Sequence, residues 1–255
     1  VSRPPDYTGI DVTLPEGRVG LVYDLPFPLP TDPLRRPNSF SARLPAGLTI
    51  HPKDGYISGK PTVPSKDQVQ GDEVAFTIGN EFGKVTLKTR LLIRPLPEGV
   101  AGSFTGLVHR GSELGGDTGG RIDFTIQPTG AYSGKAVIGP DTLSFSGSVS
   151  VFNPPPLTTT IMIFDLKPSH LESPIGFYLQ IQDAGDEDPA TTEVEEPGQF
   201  FAWRNIWTSP EITDDFKGYY TFGIRTSSDE GNVPRGHGFG SISVDANGLS
   251  QTAGR

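Results

Sequence analysis

The chain has 255 residues, a formal charge of -9, 34% apolar residues, 32 glycines, 25 prolines and no cysteine, enough length for one large core or two moderate ones. The acidic balance argues against nucleic acid and anionic lipid as partners. The lack of cysteine removes disulfides, thiolate chemistry and Cys-ligated zinc, and no apolar run approaches the roughly 20 residues that span a bilayer.

Glycine and proline fall between short runs of Val, Ile, Phe and Tyr, the punctuation of an all-β protein. The first strong pattern is Leu44-Pro45-Ala46-Gly47-Leu48 followed by Asp54-Gly55-Tyr56-Ile57-Ser58-Gly59-Lys60-Pro61-Thr62. Asp54-Gly55 supplies the positive φ of a tight hairpin, Gly59 permits a bend and Pro61 ends pairing, while Leu48, Ile50 and Ile57 are spaced to face a core. The stretch therefore reads as a scaffold corner. Val74, Phe76 and Ile78 then alternate, Val85 to Ile93 forms a long strand-like run, and Arg94-Pro95-Leu96-Pro97 closes it with two prolines. This places a domain boundary at residue 97.

These motifs resemble an Ig-like domain family, a cadherin-like and dystroglycan-like β-sandwich found in tandem on large bacterial surface proteins. Its hallmark is a Leu-Pro-x-Gly-Leu turn and an Asp/Thr-Gly-x-Ile-x-Gly-x-Pro-Thr hairpin, and the resemblance covers about residues 12–95. Some relatives hold calcium between domains through clustered carboxylates. Residues 1–97 lack an Asp-x-Asp or Asp-Arg-Glu pattern near their ends, so the resemblance implies the fold without the calcium.

Beyond the boundary, alternation continues through Phe104 to Val108, Ile122 to Ile126, Tyr132 to Ile138, Leu143 to Val151 and Phe177 to Ile181. The block Ile161-Met162-Ile163-Phe164 reads as a strand covered on both faces. Residues 102–108 (GSFTGLV) match 218–224 (GYYTFGI), and 122–130 (IDFTIQPTG) match 240–248 (GSISVDANG), so one sheet motif is used twice; after Gly248 the match fades, Tyr132 and Gly134 meeting Ser250 and Thr252. Eight to ten strands must dispose of their edges, which favours an antiparallel β-barrel-like or sandwich domain over residues 98–255. This second region resembles a repeated β module of large exported bacterial proteins, on Gly130-Ala131-Tyr132-Ser133-Gly134, Ala202-Trp203-Arg204-Asn205-Ile206-Trp207 and Gly218-Tyr219-Tyr220-Thr221-Phe222. Its strand-Gly-x-Tyr-x-Gly hairpins are also similar to avidin-like barrels, although the biotin site finds no counterpart here.

Candidate sites are few. His51, His109, His170 and His237 lie far apart without ligand spacing, and the glycine run 111–120 precedes a strand, leaving no helix N-terminus for phosphate. Asp183, Asp186 and Asp188 offer oxygens to calcium, but their spacing is not that of an EF-hand, and a solvated acidic loop over 183–198 is expected. Directly after it Phe200, Phe201, Trp203 and Trp207 cluster in a stretch expected to be irregular and to cross a barrel mouth. There Trp203 and Trp207, with Arg204 and Asn205, are the candidate sugar-stacking residues; plugging the barrel end explains the aromatics equally simply and is the favoured expectation, because aromatics dominate cores.

The expectation is thus a non-enzymatic, exported, extracellular or cell-surface module, needing no cofactor, that acts in adhesion or as a spacer toward a protein or glycan partner. A carbohydrate-binding module and an accessory domain of a secreted hydrolase are the alternatives. Val1 in place of Met, and strand-like sequence still running at Arg255, lead us to expect a mature fragment flanked by a leader and further domains.

Overall fold

The computed structural model describes residues 3–108, 119–152, 158–170, 175–182, 200–204, 217–225, 237–245 and 250–254. The N-terminal region contains β1 (Gly17–Arg18), β2 (Tyr23–Leu25), a 3-10 turn (Pro33–Arg35), β3 (Ser39–Ala42), β4 (Leu48–Ile50), β5 (Ile57–Gly59), β6 (Asp72–Asn80), β7 (Gly83–Leu91) and β8 (Ile93–Arg94). Two three-stranded antiparallel sheets, ordered β2-β5-β4 and β3-β6-β7, make a β-sandwich, and β1 pairs with β8 in parallel. Alternation sets the faces. Val74, Phe76 and Ile78 of β6 are buried, whereas Lys84, Lys88 and Arg90 of the edge strand β7 are exposed, which discourages pairing with another chain.

Between the sheets, Phe27 packs against Tyr7, Phe40 and Phe76 with ring centroids 6.1, 5.9 and 4.8 Å away. Burial pushes the phenols of Tyr7 and Tyr23 up to about 12, so both stay neutral donors. Tyr7 Oη donates to the Pro28 carbonyl at 3.1 Å and Tyr23 Oη to the Pro15 carbonyl at 3.0 Å.

The second region contains β9 (Gly102–Val108), β10 (Gly120–Ile126), β11 (Ala131–Ile138), β12 (Asp141–Ser148), β13 (Ser150–Phe152), β14 (Thr158–Leu166), β15 (Ile175–Gln182), β16 (Phe200–Arg204), β17 (Gly218–Arg225), β18 (His237–Val244) and β19 (Ser250–Gly254). They form a five-stranded sheet, β12-β11-β10-β9-β16, and two three-stranded sheets, β13-β14-β15 and β17-β18-β19. The fold is all-β, with several antiparallel sheets and no closed barrel among the described residues. Barrel-like closure is the expectation the structure corrects. At Val149 the chain leaves β12 for β13, which pairs with β14, and among the described residues the five-stranded sheet ends at β12 and β16, which do not pair with each other.

The duplicated motif is realised as two meanders in one register. Gly102, Phe104 and Gly106 face Ile126, Phe124 and Ile122, and the matching Gly218, Tyr220 and Phe222 face Val244, Ile242 and Gly240. The third strands agree too, with Ile126 opposite Tyr132 and Val244 opposite Ser250. Even where sequence similarity fades, backbone pairing keeps the correspondence. A shared device caps the strand glycines: the Tyr132 ring lies where a Cβ on Gly147 would sit, and the Phe222 ring does the same over Gly240. A ring from the neighbouring strand thus restores the apolar cover that glycine lacks. The copies differ in burial, since Phe104 is 3% exposed and its counterpart Tyr220 is 44% exposed.

The two regions are joined by more than the chain. Leu21 forms a parallel bridge with Val151, and the Val151 amide donates to the Gly20 carbonyl at 3.0 Å. Lys60 Nζ donates to Ser150 Oγ at 2.7 Å. Val19, Val100, Val149 and Val151 are all buried in a hydrophobic cluster that contains residues of both regions.

Candidate functional site

Of the residues expected to bind ligand, Trp203 and Arg204 fall within the described residues, while Asn205 and Trp207 lie outside them, as do Asp183, Asp186 and Asp188 and most of the glycine run. The stretch expected to be irregular is a strand over Phe200–Arg204, built from residues of high β-propensity on the open edge of β9. Its register pairs Ala202 with Gly106, Trp203 with Thr105 and Arg204 with Phe104. Ala202 and its partner Gly106 are buried, and on β9 alternation places Ser103 and Thr105 on the opposite, outer face of the sheet.

That outer face carries an ordered polar array. Asp123 accepts from Thr105 Oγ1 at 2.8 Å and from Arg121 Nε and Nη2 at 2.8 and 2.9 Å, and Ser103 Oγ lies 3.0 Å from Thr125 Oγ1. Lys135 is the backbone partner of Asp123 on β11, and Ser144 is the partner of Lys135 on β12. The register therefore lines up Trp203, Thr105, Asp123, Lys135 and Ser144 in one row across five strands.

Two histidines have carboxylate partners. His51 Nδ1 is 2.8 Å from Asp54, within the hairpin turn. His170 Nδ1 is 3.1 Å from Asp141, whose carboxylate also accepts from the Ser169 amide at 2.7 Å and Ser169 Oγ at 2.9 Å. Ser169 bonds the carboxylate and not the imidazole in this arrangement, which clasps the β14–β15 connection onto the start of β12. The Ser169 amide, ahead of the His170 and Ser169 side chains, holds the Asp141 carboxyl below its ordinary range. A depressed carboxyl contributes stability that is full above the unfolded-state value and is lost as pH falls through the lower folded value. Asp141→Asn is expected to flatten that acid limb of the melting temperature against pH; an unchanged slope would remove Asp141 from the account. No group of three or more His, Asp or Glu suited to a metal ion occurs among the described residues.

The N-terminal sandwich has a cleft of about 550 Å³ that motif reading misses. It is lined by Arg43, Leu44 and Pro45 of one segment, Val63, Pro64 and Lys66 of another, and Val74 of β6. The first two segments meet where the Thr62 amide donates to the Ala46 carbonyl at 2.9 Å. Leu44-Pro45 is visible in the sequence as the start of the Leu-Pro-x-Gly-Leu turn; the second segment is not. No protein-family model matches this chain, and no curated protein matches it.

Proposed function

We propose that the chain is a non-catalytic module of a bacterial cell-surface or secreted protein, acting in adhesion or as a spacer that holds its β-sheet region at a fixed orientation toward a protein or glycan partner. The observation that carries this reading is the junction. A backbone bridge at Leu21 and Val151, the Lys60–Ser150 hydrogen bond and a shared buried cluster tie the N-terminal sandwich to the sheet region. Independent domains on a flexible linker have no need of such contacts. The resemblance of residues 12–95 to tandem surface domains supports the same reading. Antibody raised against the chain should detect it on intact source cells or in their medium, and small-angle scattering should fit one rigid particle. An antigen found only inside the cells, or a scattering ensemble with freely reorienting halves, would overturn it.

A second reading, a carbohydrate-binding module, is favoured by the row from Trp203 through Thr105 and Asp123 to Lys135. An aromatic position beside ordered donors and acceptors suits the faces and hydroxyls of a sugar ring. Under this reading Trp203→Ala abolishes binding on a glycan array while leaving the melting temperature within about 2 °C, because a ring that stacks on a sugar has to be exposed in the free protein and then contributes little to the core. A large drop in melting temperature, with no glycan bound by the parent, would reject it.

A further inference from the structure

We propose that the cleft of the N-terminal sandwich binds an extended acidic peptide segment of another protein, which adds as a short strand to the free edge of β6. Three observations converge on this occupant.

The first is a vacant strand position. β7 pairs with β6 along its whole length, from Asp72 to Asn80, whereas β3 pairs only with Phe76–Gly79. Beyond Ala42 the chain turns away toward β4. Residues 72–75 thus have no strand neighbour on the β3 side among the described residues, and backbone groups there suit main-chain pairing with an added strand. At about 3.3 Å per residue, the open edge takes about four residues of peptide.

The second is shape. The vacant edge opens into the cleft, whose walls of Leu44, Pro45, Val63 and Pro64 offer apolar contact to alternate side chains. Val63 is about half exposed, so the cleft is open as it stands.

The third is charge. Four ionised groups line the cleft, and the two acids are already engaged: Asp72 accepts from the Lys66 amide at 3.1 Å and the Asp67 amide at 3.3 Å, and Glu73 pairs with Lys88 at 2.9 Å. Arg43 and Lys66 are exposed, and neither side chain forms an ion pair among the described residues. The unmatched charge at the mouth is therefore positive on a chain whose net charge is -9. At short range these two cations select a carboxylate-bearing segment, and at physiological salt the repulsion of distant acids is largely screened.

The test uses two dye-labelled peptides, Glu-Val-Glu-Val-Glu-Val and Lys-Val-Lys-Val-Lys-Val, titrated with the full chain and read by fluorescence anisotropy. The acidic peptide should bind and the basic one should not. The Arg43→Ser, Lys66→Ser double variant should weaken binding about tenfold, while Lys53→Ser, Lys84→Ser, with the same loss of charge elsewhere, should change it less than about twofold. Hydrogen exchange should show added protection of the Glu73 and Ala75 amides, which point away from β7, on addition of acidic peptide. Equal weakening by both double variants, preference for the basic peptide, or no added protection at Glu73 and Ala75 would each overturn the proposal. So would a parent dimer that dissociates when Arg43 and Lys66 are replaced, since the occupant would then be a second copy.

Discussion

Gly47→Ala is expected to destabilise the protein by about 4 kcal/mol, a large share of the stability of a domain this size. Gly47 has φ +90 and stands at the end of the Leu-Pro-x-Gly-Leu turn, where a Cβ would overlap the Lys60 carbonyl oxygen. Across the pair, Gly59 has φ +132 and its Cβ would overlap the Gly47 carbonyl. The two glycines permit the close backbone contact on which β4 and β5 pair, with Leu48 opposite Gly59 and Ile50 opposite Ile57. Alanine adds a strained backbone of about 1–3 kcal/mol and a clash against backbone atoms that yield only if the strands separate, about 1–3 kcal/mol more. Gly9 supplies the internal control, because it has φ +74 and nothing within 4 Å of a Cβ. Gly9→Ala should therefore cost only the conformational part, about 1 kcal/mol. Urea melts should show a much lower midpoint for Gly47→Ala at unchanged slope. A cost no greater than that of Gly9→Ala would mean that close approach is not what the turn requires.

That pair of glycines also shows why the corner is legible as scaffold. Its signature lies within residues 44–62, so turn chemistry and hydrophobic spacing suffice to read it. Long strands are legible for the same reason: β6 buries Val74, Phe76 and Ile78 in strict alternation. The duplicated meander is legible because glycine and aromatic positions recur, and the pairing of Tyr220 with Ile242 repeats that of Phe104 with Phe124. By contrast β1 and β8 have only two residues each, too short for a period of two to register. Closure of the second region is illegible in principle. It depends on whether edge strands distant in sequence hydrogen-bond to each other, and β12 and β16 do not.

The same distinction governs the sites. Strand β16 pairs Trp203 with Thr105 and Arg204 with Phe104, partners that adjacency in sequence does not supply. The Asp141–Ser169–His170 clasp joins residues 28 and 29 positions apart through a loop and a hairpin start. The cleft needs three segments at once, which the Thr62 amide bond to the Ala46 carbonyl and the Lys66 amide bond to Asp72 hold together. In each case the chemistry-bearing residues are ordinary in sequence and become distinctive through strand pairing.

Strand pairing across the junction leads to the second large effect. Val151→Asp is expected to cost about 4 kcal/mol and to split unfolding into two transitions. Val151 is 2% exposed and packs with Val149 against Gly20, where even a Cβ on Gly20 would lie 3.1 Å from both valine methyls. Removing the valine loses about 1.5–3 kcal/mol of apolar burial. A carboxylate in its place adds a desolvation cost of about 2 kcal/mol or more, or a raised pKa that neutralises it. The damage falls where the two regions meet, since the Val151 amide holds the Gly20 carbonyl and the Gly20 amide donates to the Pro61 carbonyl at 3.0 Å. In the parent, tryptophan fluorescence reports the C-terminal region, where both tryptophans lie. Tyr7 and Tyr23, resolved by selective isotope labelling, report the sandwich, and the two signals should melt together. In Val151→Asp they should separate. The matched control is Val22→Asp, one residue beyond the Leu21 bridge and 60% exposed, which should leave both signals within about 0.5 kcal/mol of the parent. Coincident melts at an unchanged midpoint in Val151→Asp would show that the contact is incidental, and the sandwich would then be free to reorient against the sheet it is proposed to hold in place.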